Sequence, residues 1–144
     1  MNWDDYADWA GKIGAWGAQY HKSMRDLPVR AQTKPGDIAA LLPDTPPENG
    51  QPMEEIFADI DTIVMPGITH WQHPRFFAYF PSNAAPAAVL GDQISSVLAV
   101  QSMLWQTSPS ATEIETKVLD WLRQGLGLPD GYSGVIQDLS LIHI

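Results

Sequence analysis

Between residues 25 and 52 the chain carries Pro28, Pro35, Gly36, Pro43, Pro46, Pro47, Gly50 and Pro52, and this run decides most of what the chain can become. Proline fixes φ and removes an amide donor, so neither a long helix nor a central strand passes through such a stretch. Only a short helix fits inside it, around Asp37 to Leu42. The stretch reads as a wrapping connector that leaves the segments on either side as separate arms.

Ahead of the connector, Trp3, Tyr6, Trp9, Ala10, Ile13, Trp16 and Tyr20 recur at spacings of three and four, which predicts a helix over about residues 3 to 24. Its aromatic stripe is a packing face, because large rings bury much area against a neighbour. Gly11, Gly14 and Gly17 each weaken the helix by roughly 1 kcal/mol relative to alanine, so it needs something to lie on. After the connector a second helix is expected over about Met53 to Met65, with Ile56, Ile60, Ile63 and Val64 on one side and Pro66-Gly67 as its stop. An extended stretch then runs from Ile68 to Pro81.

Pro86 stands where a first-turn proline opens a third helix, through Leu90 and Ile94 to about Val97. Ser108-Pro109 begins a fourth. There Ser110 and Glu113 have capping-box spacing, Ile114, Val118, Leu119 and Leu122 form the apolar face, and Gly127 and Pro129 end it. Gly134-Val135-Ile136-Gln137 reads as the start of a buried strand. An α/β domain needs several strands with covering helices, and a lone strand makes no sheet. The chain is therefore expected to be mainly α as it stands and incomplete as a globular unit, although 144 residues would suffice for a domain of about 100 to 150.

A net charge of -9 with only eight scattered lysines and arginines excludes nucleic acid and anionic membrane surfaces as partners. Cysteine is absent, which removes disulfides and thiolate metal sites. The acidic start MNWDDYADW is unlike a signal peptide, and no apolar run approaches the roughly 18 residues of a membrane span. A soluble cytoplasmic protein is expected. His70 and His73 form H-x-x-H with Asp59 and Asp61 nearby in sequence, but Pro66, Gly67 and Pro74 make a poor helix and no third ligand has a suitable spacing, so no metal is expected.

Three stretches, MPGITHWQHPRFFAYFPS at 65–82, SPSATEIETKVLDWL at 108–122 and SGVIQD at 133–138, stand in an order and spacing that resembles the group II pyridoxal-phosphate decarboxylases, closest to those acting on aromatic L-amino acids. The resemblance runs from about residue 2 to 138. It implies the amino-terminal part of a homodimeric carboxy-lyase of amino acid and carboxylic acid metabolism, with the α/β aspartate-aminotransferase-like fold (fold type I). Residues 1–82 then correspond to a helical arm that clasps the partner subunit, and 83–138 to the start of the large cofactor domain. Trp71, Tyr79, Phe80, Pro81 and Ser82 match positions lining the substrate end of the family's pocket, Ser82 standing where several members have threonine. Gln101 and Met103 match positions that reach the other subunit's substrate, and they depart from the apolar and aromatic residues found there in animal enzymes. Met103 also reads as a core-packing residue.

Decarboxylation with this cofactor needs a lysine that holds it, an acidic partner for its ring nitrogen and donors for its phosphate. In the family these lie further along the chain, and the likeness ends at Asp138. Leu139 to Ile144 read like a translated transposon-end adapter from sequencing-library preparation and are set aside. None of Lys12, Lys22, Lys34 or Lys117 matches the family's cofactor lysine, so the chain alone is expected to be inactive. The rival reading is a non-catalytic helical dimerisation or interaction module with the aromatic arm as its binding face. It leaves FAYFPS and SPSATEIE unexplained.

Overall fold

The computed structural model describes residues 1–80 and 84–136. They fall into two compact units, Met1–Ala84 and Ala85–Ile144. Among the described residues all regular structure is helical.

The first unit opens with α1, Trp3–Ser23, followed by a 3-10 turn at Met24–Asp26. Its start is fixed by a capping box that the sequence analysis did not identify. Asn2 Oδ1 accepts the amides of Asp4 and Asp5 at 2.8 Å each, and Asp5 Oδ2 accepts the amide of Asn2 at 2.9 Å. Asp4 and Asp5 at the first turn, with His21 and Lys22 at the last, also suit the helix dipole. The aromatic stripe is used unevenly: Trp9 is buried, Trp16 and Tyr20 are half-buried, and Trp3 is exposed.

The connector holds one 3-10 turn, Ala39–Leu41, where the sequence predicts a short helix. Beyond it, α2 spans only Met53–Asp59 and passes into a π turn at Ile60–Val64 and a 3-10 turn at Met65–Gly67. The expected regular helix to Met65 is therefore broken into three kinds of turn. Phe57, not the isoleucine side, seats α2 on α1: its ring meets Trp9 edge-on at 5.4 Å and Trp16 at 6.4 Å. Ile56 and Val64 stay exposed. Asp61, inside the π turn, accepts Trp16 Nε1 at 3.1 Å. Gly67 closes the packing, because a Cβ there would lie 3.0 Å from Ile38 of the connector.

In the second unit α3 spans Pro86–Leu98 and α4 spans Pro109–Gly125, each with proline in its first turn as expected. α3 ends on Ala99 in the left-handed conformation, φ 51°. The capping box expected from Ser110 and Glu113 does not form. The N-cap is Ser108, without a side-chain bond, and the Glu113 carboxylate instead accepts Trp105 Nε1 at 2.7 Å. Arg123, near the end of α4, bridges Asp120 and Asp130 at 2.9 Å each and donates to the Leu128 carbonyl. No strand forms at Gly134–Ile136: the Ile136 amide goes to Glu115 at 3.0 Å, so it has no ladder partner, while Gln137 lies outside the described residues. Asp138 to Ile144 lie outside them as well. Among the described residues no helix is long and apolar enough to cross a membrane.

Candidate functional site

The segment expected to be extended, from Ile68 to Pro81, is built from tight turns over the residues described. The His73 amide donates to the His70 carbonyl and the Phe76 amide to the His73 carbonyl, both at 2.9 Å. Pro74 suits this arrangement because it has no amide to satisfy. The turns are anchored to the start of the connector by the His70 amide, which donates to the Val29 carbonyl at 3.0 Å. An extended strand would need a neighbouring strand for its amides, and here local carbonyls take that role.

The two histidines are the most buried polar groups described, with His70 2% and His73 4% exposed. His73 Nδ1 accepts the Arg75 amide at 3.0 Å, which leaves its Nε2 to carry the proton toward the Arg25 carbonyl at 3.5 Å. His70 Nδ1 lies 2.8 Å from the Tyr20 hydroxyl of α1. Burial, with a smaller contribution from the charge of His73, lowers the His70 pKa below the ordinary imidazole value, and burial raises that of Tyr20. Both shifts favour the neutral pair. Among the described residues no three His, Cys, Asp or Glu side chains gather at a metal-binding distance. The H-x-x-H pattern thus serves as a joint between α1 and the turns, a role that sequence spacing did not reveal because its partners, Tyr20 and Arg25, are 50 and 48 residues away.

Immediately after His70, Trp71 presents a half-open aromatic surface. Its ring lies 5.0 Å from Phe76 and is stacked on Tyr79 at 5.6 Å with planes 20° apart. Of the expected pocket residues, Trp71 and Tyr79 are thus brought together. Phe80 is 91% exposed beside them, and Pro81 and Ser82 lie outside the described residues. Tyr79 has φ 54°, a left-handed conformation uncommon for an aromatic residue. Such a two-ring surface can receive a flat apolar ligand face by offset stacking.

Gln101 and Met103 belong to the second unit, in the loop between α3 and α4. The Gln101 carbonyl accepts the Thr107 hydroxyl at 2.8 Å, and Met103 is 76% exposed, so the core-packing reading of Met103 does not hold within this unit. A groove of about 400 Å³ along α4 is lined mainly by Leu119, Leu122, Leu126, Leu128 and Tyr132. Its one cation, Arg123, is already paired with two aspartates.

Residues 35–140 match the pyridoxal-dependent decarboxylase conserved domain. The aromatic-L-amino-acid decarboxylase of Manduca sexta is 39% identical over 132 residues, covering 92% of this chain and 26% of that protein. A phenylacetaldehyde synthase of Arabidopsis thaliana is 42% identical over 126 residues, covering 83% of this chain and 26% of its own length. Tryptophan decarboxylase of Catharanthus roseus, solved with L-tryptophan, superposes with a TM-score of 0.90 at 34% identity over 97% of this chain and 32% of that one. The chain thus spans about a quarter to a third of the length of these relatives. With the helical arm, the turn segment and the conserved domain all matched, the chain belongs to the pyridoxal-dependent decarboxylase family.

Proposed function

We propose that this chain is the amino-terminal part of a pyridoxal-phosphate-dependent enzyme that removes the α-carboxylate of an aromatic L-amino acid, and that it supplies the dimer arm and one wall of the substrate pocket. The observation that carries the reading is the Trp71–Tyr79 stack. A rigid aromatic wall selects a flat aromatic side chain by area and ring geometry. The names of the relatives support the substrate class, since they act on tyrosine, tryptophan or other aromatic amino acids.

Bound pyridoxal phosphate supplies the electron sink that lets carbon dioxide leave. The described residues do not by themselves form a cradle for it. No lysine lines the α4 groove, and Lys12 lies 4.0 Å over the Trp9 ring. This chain's residues therefore act on the ring end of the substrate. The same reading makes the whole protein a cytoplasmic homodimer, with residues 1–82 clasping the partner, 83–138 opening the cofactor domain, and Phe80, Pro81 and Ser82 extending the wall. Gln101 and Met103 would then face the partner's substrate. Of Leu139 to Ile144, expected to be foreign to it, Leu139 and Ser140 fall within the family match, so the foreign stretch would narrow to Leu141 to Ile144.

A chimera joining residues 1–136 to the remainder of the Manduca sexta enzyme tests this directly. Carbon dioxide release from aromatic amino acids is expected, and Trp71→Ala should raise KM roughly tenfold, the value of about 1.4 kcal/mol for a good aromatic contact. A chimera that consumes dioxygen and releases aldehyde, ammonia and hydrogen peroxide along with the carbon dioxide, in place of the amine, would move the reading to the aldehyde-forming synthases of the same family. A folded chimera without turnover of aromatic amino acids would end it and favour the non-catalytic interaction module. The 144-residue chain incubated alone with the cofactor should release no carbon dioxide.

A further inference from the structure

Tyr79 has a left-handed backbone, φ 54°, and is 87% exposed, so no surrounding core holds it in place. A non-glycine residue keeps such a conformation only where its surroundings impose it. The ring that faces it is Trp71, stacked at 5.6 Å. Trp71 is itself 40% exposed, so its own orientation must come from its backbone and the residues beside it.

Its predecessor His70 is held on three sides. The His70 amide donates to Val29, its carbonyl accepts from His73, and its buried ring meets the Tyr20 hydroxyl at 2.8 Å. Tyr20 is fixed in turn, because its ring stacks on Trp16 at 5.7 Å with planes 8° apart while Trp16 donates to Asp61. Of these ties only the hydroxyl reaches the turn segment from α1 through a side chain alone.

We infer that Tyr20 is a positioning residue for the aromatic wall: through His70 it sets the orientation of Trp71 and thereby holds Tyr79 in its strained, stacked conformation. That this wall meets a substrate ring rests on the proposed function; the tie itself does not. The class of ligand it would favour is a planar aromatic side chain, since an unaligned pair of rings loses the flat face that offset stacking needs.

Tyr79 ring protons over the Trp71 indole should be displaced upfield in the NMR spectrum of the 144-residue chain. Tyr20→Phe keeps the ring and removes the hydroxyl. It should reduce that displacement by more than half while the α1 amides keep their shifts, and an unchanged displacement overturns the inference. Trp9→Phe is the control, since it loosens the contact with Phe57 without touching the hydroxyl. Equal loss in this variant would assign the effect to the arm's stability and also overturn it.

Should Tyr20→Phe fail to fold, the unmodified chain in urea decides. The His70 Nδ1 signal and the Tyr79 displacement should vanish at the same urea concentration, and a displacement that outlasts the His70 signal refutes the tie. None of these readouts involves cofactor or turnover. A chimera that fails to decarboxylate therefore leaves the tie standing, and a failed tie leaves the decarboxylase reading standing.

Discussion

The two units are held together in different ways. In the first, side chains connect residues far apart: Trp16 to Asp61, Tyr20 to His70 and Arg25 to His73 span 45 to 50 positions, and Trp9, Met24 and both histidines are buried. In the second, side-chain bonds gather along α4 and its flanks, from Trp105 to Glu113, Arg123 to Asp130 and Ile136 to Glu115 across 21 positions, and Val89, Leu90, Ile94 and Leu98 of α3 remain exposed. Both units are helical, yet among the described residues the buried side chains lie in the first. Helix formation alone gives marginal stability, because most of a helix's stability in a protein comes from packing its apolar face.

The sharpest way to break this comparison is a pair of tryptophan truncations. Trp9→Ala should cost the first unit about 3 kcal/mol, read as lost hydrogen-exchange protection along α1. Trp121→Ala, on an exposed tryptophan of α4, should change the second unit by no more than about 0.5 kcal/mol. Equal losses would mean that the second unit has a core of its own.

Acid should separate the two units by pH window. The His70 pKa is lowered in the fold, so its neutral state stabilises the first unit fully above the unfolded imidazole value and that stability is lost as pH falls through the folded one. The Asp120 carboxyl is lowered mainly by its hydrogen bond from Arg123, so any contribution to the second unit disappears only below the ordinary carboxylate range. Hydrogen exchange between pH 7 and 5 should therefore loosen the turns around His70 and leave α4 unaffected. Simultaneous loosening would remove the distinction.

Smaller effects refine it. Gly14 has open space around the position of a Cβ, so Gly14→Ala should stabilise α1 by about 1 kcal/mol, seen as a higher melting temperature by circular dichroism. Asp130→Ala should leave α4 within about 0.5 kcal/mol of its original stability, because that carboxylate is 99% exposed and its bridge to Arg123 is screened by water.

Periodicity and proline placement made α1, α3 and α4 legible, since each has an apolar stripe or a first-turn proline visible within a few residues. The family was legible from three motifs, and the domain match over residues 35–140 agrees with it. What stayed hidden depended on distant partners. Glu113 has capping-box spacing, but Trp105 takes its carboxylate; the histidines have ligand spacing, but Tyr20 and the Arg25 carbonyl occupy them. The aromatic residues at 71 and 79 could be matched to a pocket, whereas the turns that bring their rings together came from backbone bonds that side-chain patterns do not encode.

The π turn at Ile60–Val64 has a consequence for how the length of this chain can vary. A π turn amounts to one residue inserted into an α-helix, and each helical residue advances the chain by about 100°. Deleting a residue there would restore α register and swing Gly67 away from Ile38, with His70 and everything attached to it carried along. Indels should accordingly be accepted in the exposed connector around residues 43–52 and rejected between 60 and 64, where the frame of the aromatic wall is counted out residue by residue.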